Sequence, residues 1–125
     1  MKVIKKVSKE DVNELTSGAY FHKLILNGNY DLYALYLNNI PVSIGAIKYV
    51  GIKATLTFAY TPKEHQKKGY HKLLMNYRIN ELKKKGIQKI EVTCLKASVG
   101  NYLREGAKIV KQYKHGGALV VYENI

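Results

Sequence analysis

Asp31–Tyr60 is the segment that most constrains this chain. It holds three β-rich runs, Asp31–Leu37, Val42–Val50 and Lys53–Tyr60, joined by the turn signals Asn38-Asn39-Ile40-Pro41 and Gly51. Connections this short join antiparallel neighbours only, so the middle of the chain is predicted to be an antiparallel meander. Asp31–Leu37 is apolar on both faces and reads as a central strand. The period then changes. From Gly69 to about Lys85, Tyr70, Leu73, Leu74 and Tyr77 form a helical stripe that Met75, Ile79 and Leu82 widen. Lys83-Lys84-Lys85 suits the negative end of the helix dipole, and Gly86 supplies the stop. Ile87–Leu95 returns to strand. After a strand and a helix it can lie parallel to Lys53–Tyr60, in a βαβ crossover.

The flanks complete the order. Met1–Val7 reads as a short strand, and Ser8 as the N-cap of a helix with Glu10 and Asp11 in its first turn, ending near Ser17-Gly18. Ala19–Asn29 fits a helical turn at Phe21, Leu24 and Ile25, or a loop closed by Asn27-Gly28-Asn29. Lys96–Glu105 reads as a short helix ended by Gly106. Ala107–Tyr113 and Ala118–Tyr122 read as strands joined by the turn His115-Gly116-Gly117. The expected class is α/β with a mixed sheet: an antiparallel meander, then one parallel βαβ crossover. At 125 residues a single domain over 1–125 is expected.

Composition narrows the chemistry. Lys and Arg number 21 against nine Asp and Glu, a formal charge of +12, which favours anionic partners such as nucleic acid or a phosphorylated cofactor. Cys94 is the single cysteine, so no internal disulfide can form. His22, His65, His71 and His115 lack metal-ligand spacing, and no metal is expected. No apolar run reaches the ~18 residues of a membrane helix. Met1–Lys6 has no signal-peptide apolar core, so a cytoplasmic protein is expected. The 11 tyrosines suit half-buried strands; the other reading is a platform for stacked bases.

The most informative stretch is Thr57–Leu74, a strand, a basic loop and a helix entered through Gly69. Such a mouth leaves several backbone N–H groups aimed at one spot that the dipole makes positive. Lys67, Lys68 and Lys72 add charge, so a phosphate or pyrophosphate would suit it. A capped surface helix with a solvated lysine run would carry the same residues, and these alone leave both readings open.

Gln66-Lys67-Lys68-Gly69-Tyr70-His71, with Pro62 upstream and Leu73-Leu74 downstream, resembles the Gln/Arg-x-x-Gly-x-Gly/Ala loop of the GNAT family of N-acetyltransferases. Asn101-Tyr102-Leu103-Arg104-Glu105-Gly106-Ala107 resembles that family's Phe-Tyr-x-Lys-x-Gly-Phe segment. The resemblance implies a GNAT-like fold and an enzyme that moves an acetyl or other acyl group from acetyl-CoA, or another acyl-CoA, to an amine by direct attack. It also implies a cofactor site in the V-shaped opening between the fourth and fifth strands, here Phe58, Ala59 and Tyr60, with Gln66, Lys67, Lys68, Gly69, Tyr70 and His71 on the pyrophosphate. Tyr102 would be the general acid for the leaving thiolate. His71 departs from the family's Gly or Ala and would either crowd the pyrophosphate or, protonated, donate to it. Leu95 stands where an Asn is usual. Glu64, Glu91 and Glu123 are the candidate bases, with Glu91 on the face opposite Ile90 and Val92. Cys94 reads as a small buried strand residue. Lys63–Lys89 carries nine Lys and Arg against two acids, Arg78 among them. The alternative function is therefore a basic GNAT-like module that binds or modifies nucleic acid without acetyl-CoA.

Overall fold

The computed structural model describes residues 2–16 and 30–123. Its strands are β1 (Lys2–Val7), β2 (Asp31–Leu37), β3 (Ile40–Val50), β4 (Lys53–Tyr60), β5 (Lys89–Cys94), β6 (Lys108–Gln112) and β7 (Ala118–Glu123). A 3-10 turn at Glu10–Val12 runs into α1 (Asn13–Thr16); α2 is Tyr70–Lys84 and α3 is Lys96–Arg104. Among the described residues one sheet runs β1-β2-β3-β4-β5-β7-β6. β4 and β5 form its parallel pair. The expected meander, crossover and mixed sheet are all present.

Local chemistry explains the turns. Asn38 and Asn39 adopt φ of 51° and 70°, the positive pair that a two-residue hairpin needs. Ile40 and Pro41 were expected in that connection but lie inside β3, opposite Leu37 and Tyr36. Pro41 is tolerated because the β2–β3 register slips beside it, where a ladder N–H is dispensable. Ser8 and Asp11 cap each other: the Ser8 N–H donates to Asp11 Oδ2 (3.0 Å) and the Asp11 N–H to Ser8 Oγ (3.3 Å). The readings on Ser17–Asn29 lie outside the described residues. Gly86, at φ 76°, ends α2: its N–H reaches Lys83 O (3.0 Å) and that of Ile87 reaches Leu82 O (3.1 Å).

The sheet has a core on each face. Leu74, Met75, Ile79 and Leu82 of α2 pack on Tyr33, Ile47, Ala54, Leu56, Ile90 and Val92, and Tyr102 of α3 joins them. Val12 packs on Leu32, Ala34, Ile44 and Ala46 on the other face. The stripe predicted for α2 faces inward at Tyr70, Leu74, Met75, Ile79 and Leu82, with Tyr77 packed beside them, and differs at two positions. Leu73 is exposed, whereas Arg78 is buried among the residues facing the sheet. A charged side chain at 78 pulls a pattern reading away from the face that is truly inward. β6 is an exposed edge strand whose Lys108 and Lys111 discourage pairing with another chain.

Candidate active site

The site begins as a defect in strand pairing. Ile44 pairs with Tyr60 and Ala46 with Thr57, so Phe58 and Ala59 of β4 face the single residue Gly45 of β3. Such a bulge bends its strand and sharpens the twist. On its other side β4 pairs with β5 from Lys53–Lys89 to Leu56–Val92 and no further. Beyond that rung the two strands part. The resemblance placed an opening between these two strands, and the bulge bends β4 at the same level.

The loop after β4 is braced from within. Ser43 Oγ lies 2.7 Å from Thr61 Oγ1 and donates to Tyr60 O (3.4 Å). Gln66 Nε2 donates to Thr61 O (2.9 Å), so this side chain shapes the loop. Lys67 (φ 63°) and Gly69 (φ 81°) are left-handed and turn the chain into α2. The first bond across that entry runs from the Leu73 N–H to Gly69 O (3.1 Å), and no side chain caps Gly69. The N–H groups of Tyr70, His71 and Lys72 therefore have no partner within the helix.

Two connected recesses lead inward. The outer one, about 360 Å³, lies between α2 and α3 and is lined by His71, Lys72, Met75, Ser98, Tyr102 and Glu105 among others. The inner one, about 630 Å³, occupies the strand opening, with Thr57, Ala59, Arg78, Val92, Cys94 and His115 among its walls. His71, Ser98 and Tyr102 line both. Together they have the size of a ligand pocket.

The candidate residues fall around this channel unevenly. Ala59 lines the inner recess; Phe58 occupies the bulge with its backbone; Tyr60 turns toward the opposite face, against the Val12 cluster. Lys67 and Lys68 are exposed beside the helix mouth. The Tyr70 side chain is buried with Leu35 and Val42, so only its backbone N–H is offered at the mouth. His71 is partly exposed at the shared wall; crowding there, then the Arg78 charge, holds its pKa below the ordinary histidine value. Tyr102 is 6% exposed and meets Tyr122 edge-on at 6.5 Å. Burial pushes its phenol up, and Arg78 partly offsets this. Its hydroxyl has no hydrogen-bond partner among the described residues and keeps accessible surface.

Of the candidate bases, Glu91 is paired with Lys53 (3.4 Å), while Glu64 and Glu123 are exposed. None of the three lines either recess. Glu105 does line the outer one and accepts from the Tyr122 hydroxyl (3.4 Å). Cys94 is buried, its Sγ–H donating to Ala118 O (3.5 Å), and burial pushes the thiol up, which suits a wall residue and not a nucleophile. Among the described residues no three His, Cys, Asp or Glu cluster as metal ligands.

Sequence reasoning missed Arg78, counting it with the surface lysines. It is 2% exposed and lines the inner recess. Its Nη1 donates to Ala46 O (2.9 Å) and Thr57 O (3.5 Å), the pair directly beside the bulge. Its Nε is buried without an acceptor. Burial pulls its pKa down to about 10. The signal available was Gly45: a Cβ there would come within 2.5 Å of Arg78 Cζ, so the glycine makes room for the guanidinium.

No family model matches the sequence, and no curated protein is significantly similar to it. Solved structures match along its whole length. The ribosomal-protein-S18-alanine N-acetyltransferase from Escherichia coli superposes with a TM-score of 0.83 at 16% identity, covering 99% of this chain and 94% of that one. The PaiA N-acetyltransferase from Thermoplasma acidophilum, solved in complex with coenzyme A, gives 0.74 at 17% identity, over 98% and 99%. The IAA acetyltransferase from Bacillus cereus ATCC 14579 gives 0.75 at 15%, over 98% and 99%. The chain therefore has the GNAT acyltransferase fold, as the Gln66–His71 and Asn101–Ala107 motifs implied.

Proposed function

We propose that this chain is an acyl-CoA-dependent N-acyltransferase of the GNAT type. One observation carries the reading. β4 parts from β5 at the level of the Phe58–Ala59 bulge, and that opening is continuous with the uncapped start of α2, past the free hydroxyl of Tyr102. Neighbours of the same fold are N-acetyltransferases, one of them solved with coenzyme A, which supports the same choice.

The residues divide the work by chemistry. The N–H groups of Tyr70, His71 and Lys72, with Lys67 and Lys68 alongside, suit the pyrophosphate. The β4 edge beyond Leu56, unpaired toward β5, offers backbone groups to an extended amide-bearing arm. Acyl-CoA supplies an activated thioester. The amine nitrogen attacks its carbonyl carbon, and a β4 N–H in the opening stabilises the charge that develops on oxygen. The N–C bond forms and the C–S bond breaks. Tyr102 gives its proton to the departing sulfur, the amine's surplus proton goes to water, and the Tyr102 phenolate takes a proton back from water before the next turnover. The thiol form of CoA and an amide leave.

The test follows thiol release with a panel of amines. Tyr102→Phe keeps the ring and its contact with Tyr122 and deletes one hydroxyl. The expected loss in kcat is roughly 10²–10⁴-fold, with CoA affinity and Tm unchanged. A folded variant with full turnover would remove Tyr102 from the mechanism.

A further inference from the structure

Arg78 is a buried cation without an anion. Among the described residues no carboxylate lies within ion-pair distance of it. Two backbone carbonyls on one nitrogen do not offset the cost of taking a guanidinium out of water. A purely structural staple across the bulge would be met more cheaply by a neutral donor such as Gln. The chain instead keeps the charge and gives up a Cβ at Gly45 to house it. Buried, uncompensated charge lining a recess is the arrangement expected where a ligand brings the counter-charge.

The position says which part of the ligand. β4 and β5 are zipped through Leu56–Val92 and open beyond it, toward the loop and the mouth of α2. Anything extended that enters from the mouth reaches the closed end tip first. Arg78 reaches Thr57 O, one residue past the last rung, so its guanidinium stands at that closed end. In an acyl thioester the tip is the acyl group. Resting on the acyltransferase reading above, we propose that Arg78 selects an acyl group that ends in a carboxylate, so that the preferred donor is the CoA mono-thioester of a short dicarboxylic acid. The reaction is balanced as before: the amine nitrogen gains the carboxyacyl group, the C–S bond breaks, and CoA leaves as the thiol. The distal carboxylate stays ionised against Arg78 and takes no part in bond making. Lys72 and the other lysines at the mouth cannot make this selection, because they lie at the opposite end of the channel, where every CoA ester is alike.

Equilibrium binding of CoA, acetyl-CoA, malonyl-CoA and succinyl-CoA to the full chain, at one fixed salt concentration, tests this. The expected result is that malonyl- or succinyl-CoA binds at least about tenfold tighter than acetyl-CoA. In Arg78→Met the advantage over acetyl-CoA should fall to within about twofold. Arg78→Lys should retain part of it. The wild-type ranking decides the matter even if Arg78→Met does not fold: acetyl-CoA binding as tightly as both carboxyacyl esters overturns the proposal. Equal donor affinities with turnover confined to carboxylate-bearing amines would move the carboxylate to the acceptor and also overturn it. Failure of CoA and all three thioesters to bind would instead strike at the acyltransferase reading itself.

Discussion

Replacing Gly45 by Ala probes the join between fold and site. The new Cβ would lie 2.5 Å from Arg78 Cζ and 2.8 Å from both Nε and Nη1, well inside contact distance. The guanidinium must then move, and the inner recess is the open volume beside it. Moving there breaks the 2.9 Å bond to Ala46 O. A hydrogen bond to a charged group contributes about 1.5–3 kcal/mol, and re-solvating the charge in the recess returns part of that. A net cost of about 1–2 kcal/mol follows, a large fraction of a typical 5–15 kcal/mol stability. At roughly 3–6 °C per kcal/mol for a chain of this length, Tm should fall by about 3–12 °C. Urea unfolding of the wild type, Gly45→Ala, Arg78→Met and the double variant closes a double-mutant cycle. Because Met leaves the space the new methyl needs, the double variant should be more stable than the sum of the singles by at least about 1 kcal/mol. Additive effects, or a Gly45→Ala variant within about 0.5 kcal/mol of wild type, would refute the claim that Gly45 exists to house Arg78.

Further outcomes are expected. Gly69→Pro removes an N–H at the mouth and imposes a negative φ where the chain needs 81°, so CoA binding should fall more than tenfold; unchanged affinity in a folded variant would remove the mouth from the site. His71 should titrate below the ordinary histidine value in the free protein and move upward when CoA binds, measured by NMR; an unmoved His71 at saturation would mean that no phosphate approaches it. Tyr33, Tyr102 and Tyr122 are all held above the ordinary tyrosine value by burial. Above pH 10 the unfolded chain sheds those protons and the folded one keeps them, so urea midpoints should fall as pH rises further; Arg78 opposes this, one group against three. Lys83→Glu, at the far end of α2, should leave acyl transfer unchanged; a large fall in duplex or tRNA affinity would favour the nucleic-acid module.

The sequence made the scaffold legible because each local signal agreed with its neighbours. Asn38-Asn39 could only turn tightly, Gly86 could only stop a helix, and the period changed cleanly between Tyr60 and Tyr70. The opening between β4 and β5 was legible only through a family resemblance, because a bulge is a property of two paired strands. Nothing in Phe58-Ala59 alone announces that it will face one residue of β3. Arg78 was hidden for the converse reason. A lone arginine on an amphipathic helix is normally solvated, and its burial depends on Gly45, 33 positions earlier, across a strand pairing that no pattern in the helix encodes. Tyr70 illustrates a third limit. Spacing put it in both the loop motif and the apolar stripe, and the fold gives its side chain to the core and its N–H to the mouth.

Titrating the isotope-labelled chain with coenzyme A and following its backbone amides tests the central claim most directly. The account predicts saturable binding, with the largest shifts at Gln66–Lys72, at Thr57–Ala59 and around Ser98–Tyr102, the three stretches that border the channel. A folded chain whose amides do not respond, or respond only on β1 and β2, would contradict it.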